Sequence, residues 1–214
     1  MFNNIKGVIF DLDGTIVDSM WIWKQIDIEY LETKGYSLPK DLQKDIEGMS
    51  FTETANYFKN RFKLEDEIDE IKEEWNLMAL DFYKNRIKLK KGAKDFLKLL
   101  KGKNIKLGIA TSNSKRLATA VLDSNKIYHY FDTIRTSCEV NKGKPNPDVF
   151  LKAAEDLDIS PEECLAFEDT YAGVLAAKRA GMKVIAIADN LSLPYKKEIK
   201  HLADEYIEDY FNIA

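Results

Sequence analysis

The sequence predicts an α/β protein: a doubly wound parallel sheet (Rossmann-like) interrupted by an inserted all-helical segment. Three observations carry that prediction. A short apolar run at residues 5–10 (IKGVIF) stops abruptly at Asp11-Leu12-Asp13-Gly14, residues 18–87 contain no convincing strand, and from Gly92 onward apolar strands alternate with helices. At 214 residues, the chain is long enough for one core domain carrying a smaller insertion.

Taken in order, residues 5–10 read as a buried strand ending in a polar turn. Ser19 has the chemistry to cap a helix running to Thr33, with Gly35 as its stop. Pro39 opens a second helical stretch and Thr52 a third, in which Ala55, Phe58 and Phe62 recur at helical spacing. Residues 65–85 continue as a Glu- and Lys-rich helix with Ile68, Ile71, Trp75, Met78, Leu80 and Phe82 as inward positions. The alternating part places helices at 92–101, 114–124, 146–157 and 170–180, the last closed by Gly181. Its strands fall at 105–110, 132–136, 164–167 and 183–188, with a last short strand and helix within 204–213. Apolar strands separated by helices call for a parallel sheet covered on both faces. The predicted division is an α/β core of residues 1–17 and 88–214 with a helical cap domain of residues 18–87.

Hydrophobic residues make up 45% and charged residues 32%, the balance of an ordinary globular protein. A net charge of −4 gives no general pull towards nucleic acid polymers or anionic membranes, so a phosphate site must gather its positive charge locally. No run approaches the ~18 apolar residues of a membrane-spanning helix, and no basic segment leads a long apolar one. Cys138 and Cys164 stand alone, without metal spacing, and fit a reduced compartment. These features predict a cytoplasmic protein, a monomer or weak dimer, with neither nucleic acid nor membrane as partner.

Ligands of doubly wound sheets bind beyond the carboxyl ends of the strands. Here the predicted strand ends lead into Asp11-Leu12-Asp13-Gly14-Thr15, Thr111-Ser112-Asn113 and Glu168-Asp169-Thr170, and Lys144 precedes the helix before the third. Carboxylates, hydroxyls and a lysine therefore converge at one end of the sheet. Asp11 and Asp169 offer the hard anionic oxygens that Mg²⁺ prefers. Without a cation, neighbouring carboxylates repel by on the order of 4 kcal/mol per pair at an effective dielectric near 20. Lys144 adds a second positive charge. The Thr111 hydroxyl and the backbone N–H groups of the Ser112-Asn113 turn can hold phosphoryl oxygens. Singly, each motif has a bland alternative: a turn, a helix cap supplied by Thr111-Ser112, a solvated lysine, a charge pair on a helix dipole. Together those alternatives leave the shared location unexplained. A calcium loop starting at Asp11 is excluded, because Ile16 and Ile22 occupy the positions that need Gly and Glu.

The ordered set Asp11-x-Asp13-Gly14-Thr15, Thr111, Lys144-Pro145-x-Pro147-Asp148 and Glu168-Asp169 resembles the four motifs of the haloacid dehalogenase superfamily. A helical insertion after the first motif is similar to that of its β-phosphoglucomutase-like branch, and the resemblance covers essentially the whole chain. It implies Asp11 as the nucleophile that becomes an aspartyl-phosphate, with Asp13 as general acid and base. It implies a Mg²⁺ ion held by Asp11, the backbone carbonyl of Asp13, and Asp169, with Glu168 nearby, and Thr111 and Lys144 on the phosphoryl group. The expected activity is a Mg²⁺-dependent phosphatase on a small phosphorylated metabolite: a sugar phosphate, a nucleotide or a flavin phosphate. Asp13 argues against a dehalogenase, since a halide leaves without a proton.

The cap is expected to close over the strand ends on hinges near residues 16–18 and 86–90, excluding bulk water. Trp21, Trp23, Phe51 and Tyr57 are the candidates for its substrate-facing surface, against the alternative that they fill the cap's own core. The resemblance implies, for a sugar-phosphate mutase, an arginine after Gly48-Met49-Ser50 and a histidine on the first cap helix. This chain has Phe51 and Trp23 there. The mutase alternative therefore lacks its second phosphate grip.

Overall fold

The computed structural model describes residues 4–213, so the outermost ends of the predicted core, residues 1–3 and 214, lie outside the described residues. Six strands form one sheet: β1 (Gly7–Phe10), β2 (Lys106–Thr111), β3 (Thr133–Thr136), β4 (Cys164–Glu168), β5 (Lys183–Ile187) and β6 (Glu205–Ile207). Their order is β3-β2-β1-β4-β5-β6, and all neighbours are parallel. The order reverses between β1 and β4, the switch point at which such sheets leave a crevice beyond their carboxyl ends.

Side chains alternate between the two faces, as the pleat requires. Val8, Phe10, Leu107, Ile109, Leu165 and Phe167 pack on one side with α5 (Ala93–Gly102) and α6 (Lys115–Ser124). Ile9, Ala110, Ala166 and Val184 pack on the other with α7 (Asp148–Leu157), α8 (Tyr171–Arg179) and α9 (Lys196–Leu202). The first cluster runs on without a break into the helical segment between β1 and β2. That segment holds α1 (Met20–Thr33), α2 (Leu42–Ile46), α3 (Phe51–Phe62) and α4 (Ile68–Asp81), followed by a π-helical turn at Phe82–Arg86.

The two connections between this segment and the sheet run side by side. Asp18 N–H donates to the Lys88 carbonyl and Lys90 N–H to that of Ile16, each at 2.9 Å. At the far end, the loop before α3 is seamed to the turn after β2. Phe51 N–H donates to the Ser112 carbonyl (3.0 Å), the Ser112 hydroxyl to the Gly48 carbonyl (3.2 Å), and Gly143 N–H to Glu53 (3.4 Å). Glu53 also completes a capping box with Ser50, which starts α3 one residue before Thr52.

Other local expectations are corrected. Ser19 sits at the N-cap position of α1 but caps nothing; its hydroxyl donates to Asp13 instead. Ser114, not Thr111 or Ser112, caps α6. The helix expected from residue 65 begins at Ile68, after Lys63 turns left-handed at φ 53° and Glu67-Glu70 form a capping box. Ile71, Trp75, Asn76 and Ala79 are its buried positions, together with Tyr83 of the π turn, whereas Ile68, Met78, Leu80 and Phe82 are half-buried. The short helix α9 was not foreseen; only Ile199 of its residues is buried, too little for a periodic signal. Among the described residues, no helix is long and apolar enough to cross a membrane.

Candidate active site

The residues just before the two central strand ends fix the site's floor. Phe10 and Phe167 stack with ring centroids 5.0 Å apart, Tyr210 packs against both, and the Tyr210 hydroxyl donates to the Thr15 carbonyl. Each aromatic pair adds about 0.5–1.5 kcal/mol beyond its burial. The next residues along the two strands, Asp11 and Glu168, are thereby held against each other across the crevice.

Lys144 joins them. Its ammonium donates to Asp11 at 2.6 Å and to Glu168 at 2.5 Å, and all three side chains are buried. The second Glu168 oxygen accepts from the backbone N–H groups of Asp169 and Thr170 and from the Thr170 hydroxyl. Gly173 makes room for this carboxylate, because a Cβ there would lie 1.9 Å from it. Asp169 accepts one bond from the Thr15 hydroxyl at 3.0 Å, while its other oxygen is buried with no donor. Gly14, at φ +82°, is required beside it, since a Cβ would stand 2.3 Å from that orphaned oxygen.

Burial above all raises the Asp11 pKa, against the pull of Lys144 and with a push from Glu168 and Asp13. Asp169 is raised by burial, then by the charges of Glu168 and Asp11. Burial opposes the charge on Lys144, yet Asp11 and Glu168 outweigh it and lift its pKa above the ordinary lysine value. One ammonium thus faces three close carboxylates, which leaves an excess of buried negative charge.

Asp13 belongs to a different network. It accepts from the Ser19 hydroxyl (2.6 Å), from Asn113 Nδ2 (2.8 Å) and from the Tyr83 hydroxyl. Asn113 also donates to the Tyr83 oxygen at 2.7 Å, as does the Trp23 indole at 3.1 Å. Burial raises the Asp13 pKa against these three hydrogen bonds.

Both networks open on one cavity of about 410 Å³. It brings together Asp11, Asp13, Thr111, Ser112, Asn113, Lys144 and Glu168 with Trp23 and Phe51 of the helical segment. Thr111 Oγ1 accepts from Asn113 N–H at 3.0 Å, and the Ser112 hydroxyl is turned to the helical segment. Trp21 is not brought in: it is half exposed, packs on Phe82 and donates to the Asp18 carbonyl. Tyr57 is tied to Asp45 and Arg61 outside the cavity lining.

The sequence model for haloacid dehalogenase-like hydrolases matches residues 8–187. The chain belongs to that family. Among relatives of this haloacid dehalogenase-like hydrolase is the phosphorylated carbohydrates phosphatase of Thermotoga maritima, 30% identical over 85% of this chain and 84% of the relative. The β-phosphoglucomutase of Bacillus subtilis is 36% identical over 86% of this chain and 83% of its own. In fold, the chain matches CbbY from Rhodobacter sphaeroides, solved with phosphate, with a TM-score of 0.87 over 98% of this chain and 96% of that one, at 23% identity.

The donor set of this family member fits a divalent cation. Asp11, Glu168 and Asp169 each offer a carboxylate oxygen, all within 4.8 Å of one another, and the orphaned Asp169 oxygen has no protein donor to satisfy it. Sequence reasoning missed Tyr83 and Ser19 as partners of Asp13. Tyr83 was missed because the helical periodicity assigns the inward position to Phe82, whereas Tyr83 is the buried one. Ser19 was assigned to helix capping, which its residue type favours equally.

Proposed function

We propose that this enzyme hydrolyses a small phosphomonoester through an aspartyl-phosphate on Asp11, with Asp13 as general acid and base. The observation that carries the reading is the pair of separately held aspartates in one cavity: Asp11 gripped by Lys144, Asp13 by neutral donors only. An Asp11 oxygen bonds to phosphorus as the ester P–O bond breaks, and Asp13 gives its proton to the leaving oxygen. Asp13 then takes a proton from water, whose oxygen bonds to phosphorus and releases inorganic phosphate and free Asp11. Lys144 balances charge on Asp11 and the phosphoryl oxygens, and the Thr111 hydroxyl, whose oxygen the Asn113 N–H holds in place, orients them with the Ser112 N–H. Asp11, Glu168 and Asp169, with the Asp13 carbonyl, would hold Mg²⁺, which supplies the positive charge that lets a phosphate dianion approach these carboxylates.

Residues 18–87 are proposed as a cap over a core of residues 1–17 and 88–214, moving on the paired connections at Asp18 and Lys90 and excluding water when shut. A sugar phosphate, nucleotide or flavin phosphate is the proposed substrate class. Hydrolysis is favoured over mutase chemistry because Trp23 and Phe51 stand at the two positions where the resemblance calls for a mutase's histidine and arginine; the cations that line the helical wall are Lys40 and Lys44, which offer no bidentate grip.

The test is phosphate release from p-nitrophenyl phosphate with Mg²⁺. Asp11→Asn is expected to lower turnover by about a thousandfold or more, and chelation of the metal to abolish it. Near-wild-type turnover by Asp11→Asn would sink the covalent mechanism. Rapid formation of glucose 6-phosphate from β-glucose 1-phosphate, primed with the bisphosphate and releasing little free phosphate, would instead establish the mutase.

A further inference from the structure

Asp27 lies in the same cavity wall but outside both networks at the strand ends. Met20, Trp23 and Asp27 recur at i, i+3 and i+7 on α1 and all line the cavity, so one face of that helix looks into it. The Asp27 side chain is only 6% exposed, and Gln43 Nε2 of α2 donates to it at 2.6 Å. Among the described residues, no other donor reaches it, and neither Lys40 nor Lys44 of the cavity lining pairs with it. One carboxylate oxygen is therefore left for the cavity. The carbonyl of Gln43, whose amide nitrogen faces Asp27, is a second acceptor beside it. A buried carboxylate with a single hydrogen bond weakens the fold, and burial pushes this one up to about 7. Such a group in a binding cavity is placed for a ligand, not for stability.

Distance and wall chemistry narrow the ligand. Ser19, which touches Asp13, stands eight residues before Asp27, about 12 Å along a helix at 1.5 Å per residue. Side chains lean back towards the helix start, so a leaving group spanning from Asp13 to Asp27 is on the order of 10 Å long. The wall between includes Trp23, Phe51 and Trp75, surfaces that suit a flat ring and would leave the hydroxyls of a polyol unpaired.

We propose that Asp27, positioned by Gln43, reads the far edge of the leaving group, and that this edge is a ring N–H donor on a planar heterocycle, as in the imide or lactam edge of a nucleobase or flavin-type phosphate. The inference rests on the phosphatase reading above. It is tested by comparing kcat/KM for uridine and guanosine 5′-monophosphates with their ring-N-methylated counterparts and with p-nitrophenyl phosphate. Wild type is expected to prefer the N–H ring over its methylated partner by at least about tenfold. In Asp27→Asn, checked for folding by thermal unfolding, that ratio should collapse towards one, chiefly through KM. No discrimination by wild type, or an equal loss on every substrate in the variant, would overturn the proposal. Failure of wild type to hydrolyse p-nitrophenyl phosphate would instead overturn the phosphatase reading beneath it.

Discussion

At the sheet end, Lys144 bonds Asp11 and Glu168, Glu168 accepts three further bonds and Asp13 accepts three, while Asp11 has no donor besides Lys144 and one buried Asp169 oxygen is unmatched. The helical wall opposite is furnished otherwise: Asp27 has one donor, and the buried Trp75 indole N–H has no partner. A saturated network admits one geometry, because any displaced group leaves another unpaired in a low dielectric. A wall of aromatic surface and half-satisfied polar groups keeps no such register. The contrast assigns the two regions different tasks, fixed chemistry on one side and adjustable fit on the other.

The comparison breaks first at Lys144. Lys144→Ala leaves Asp11 and Glu168 buried without their cation, so kcat/KM should fall by at least about a hundredfold and stability by roughly 3–5 kcal/mol. Steady-state kinetics and urea unfolding without added metal measure both. A loss no larger than that of Asp27→Asn would erase the distinction between the regions.

Tyr83→Phe sharpens it. Tyr83 comes from the helical segment yet bonds Asp13, which keeps Ser19 and Asn113 when the hydroxyl is removed. Turnover should drop about tenfold with little change in KM, the signature of a positioning residue. A change confined to KM would move Tyr83 to the substrate wall.

The smallest expected effect is Asp27's dependence on pH. Its carboxyl rises from 3.8 to about 7 in the fold, chiefly by burial. The raised value means that the folded state holds the proton more tightly than the unfolded chain does. Wild-type stability should therefore decline as pH rises from about 4 to about 7 and then level off. Asp27→Asn escapes that decline: it should match wild type at pH 4 and exceed it at pH 8 by on the order of 1–2 kcal/mol, allowing for solvent relaxation of an upper bound near 4. Urea unfolding at the two pH values measures it, and an equal difference at both would show that the carboxylate is solvated.

Why the strand ends were legible and the wall was not follows from geometry. A strand end is marked by an abrupt change from apolar to polar, so Asp11, Thr111 and Glu168 announce their location through the strands before them. A helix gives only a running angle, and small errors accumulate along it. The buried positions Ile71, Trp75, Ala79 and Tyr83 recur every fourth residue, so Tyr83, not Phe82, reaches the interior. Asp27 reads as solvated until α2 is seen to cover it. One sign was available: Trp21 and Trp23 lie about 200° apart around a helix at 100° per residue, so the two could not share the cavity.

Beside the loop before α3, the seam between the helical segment and the sheet runs mainly through peptide groups, whereas elsewhere Glu47, Glu73, Asn76 and Tyr83 reach the core with their side chains. Phe51 contributes its N–H, Gly48 its carbonyl and Gly143 its N–H, and Glu53 is the lone helical side chain in the set. A peptide group is the same whatever residue carries it. Position 51 can therefore change its side chain and keep its peptide bond to Ser112, and Asp27 takes no part in the joint at all. Lineages built on such a seam can trade one substrate for another by single steps, each leaving the reaction intact. Libraries that randomise positions 27 and 43 together should accordingly retain a high fraction of folded, reactive members.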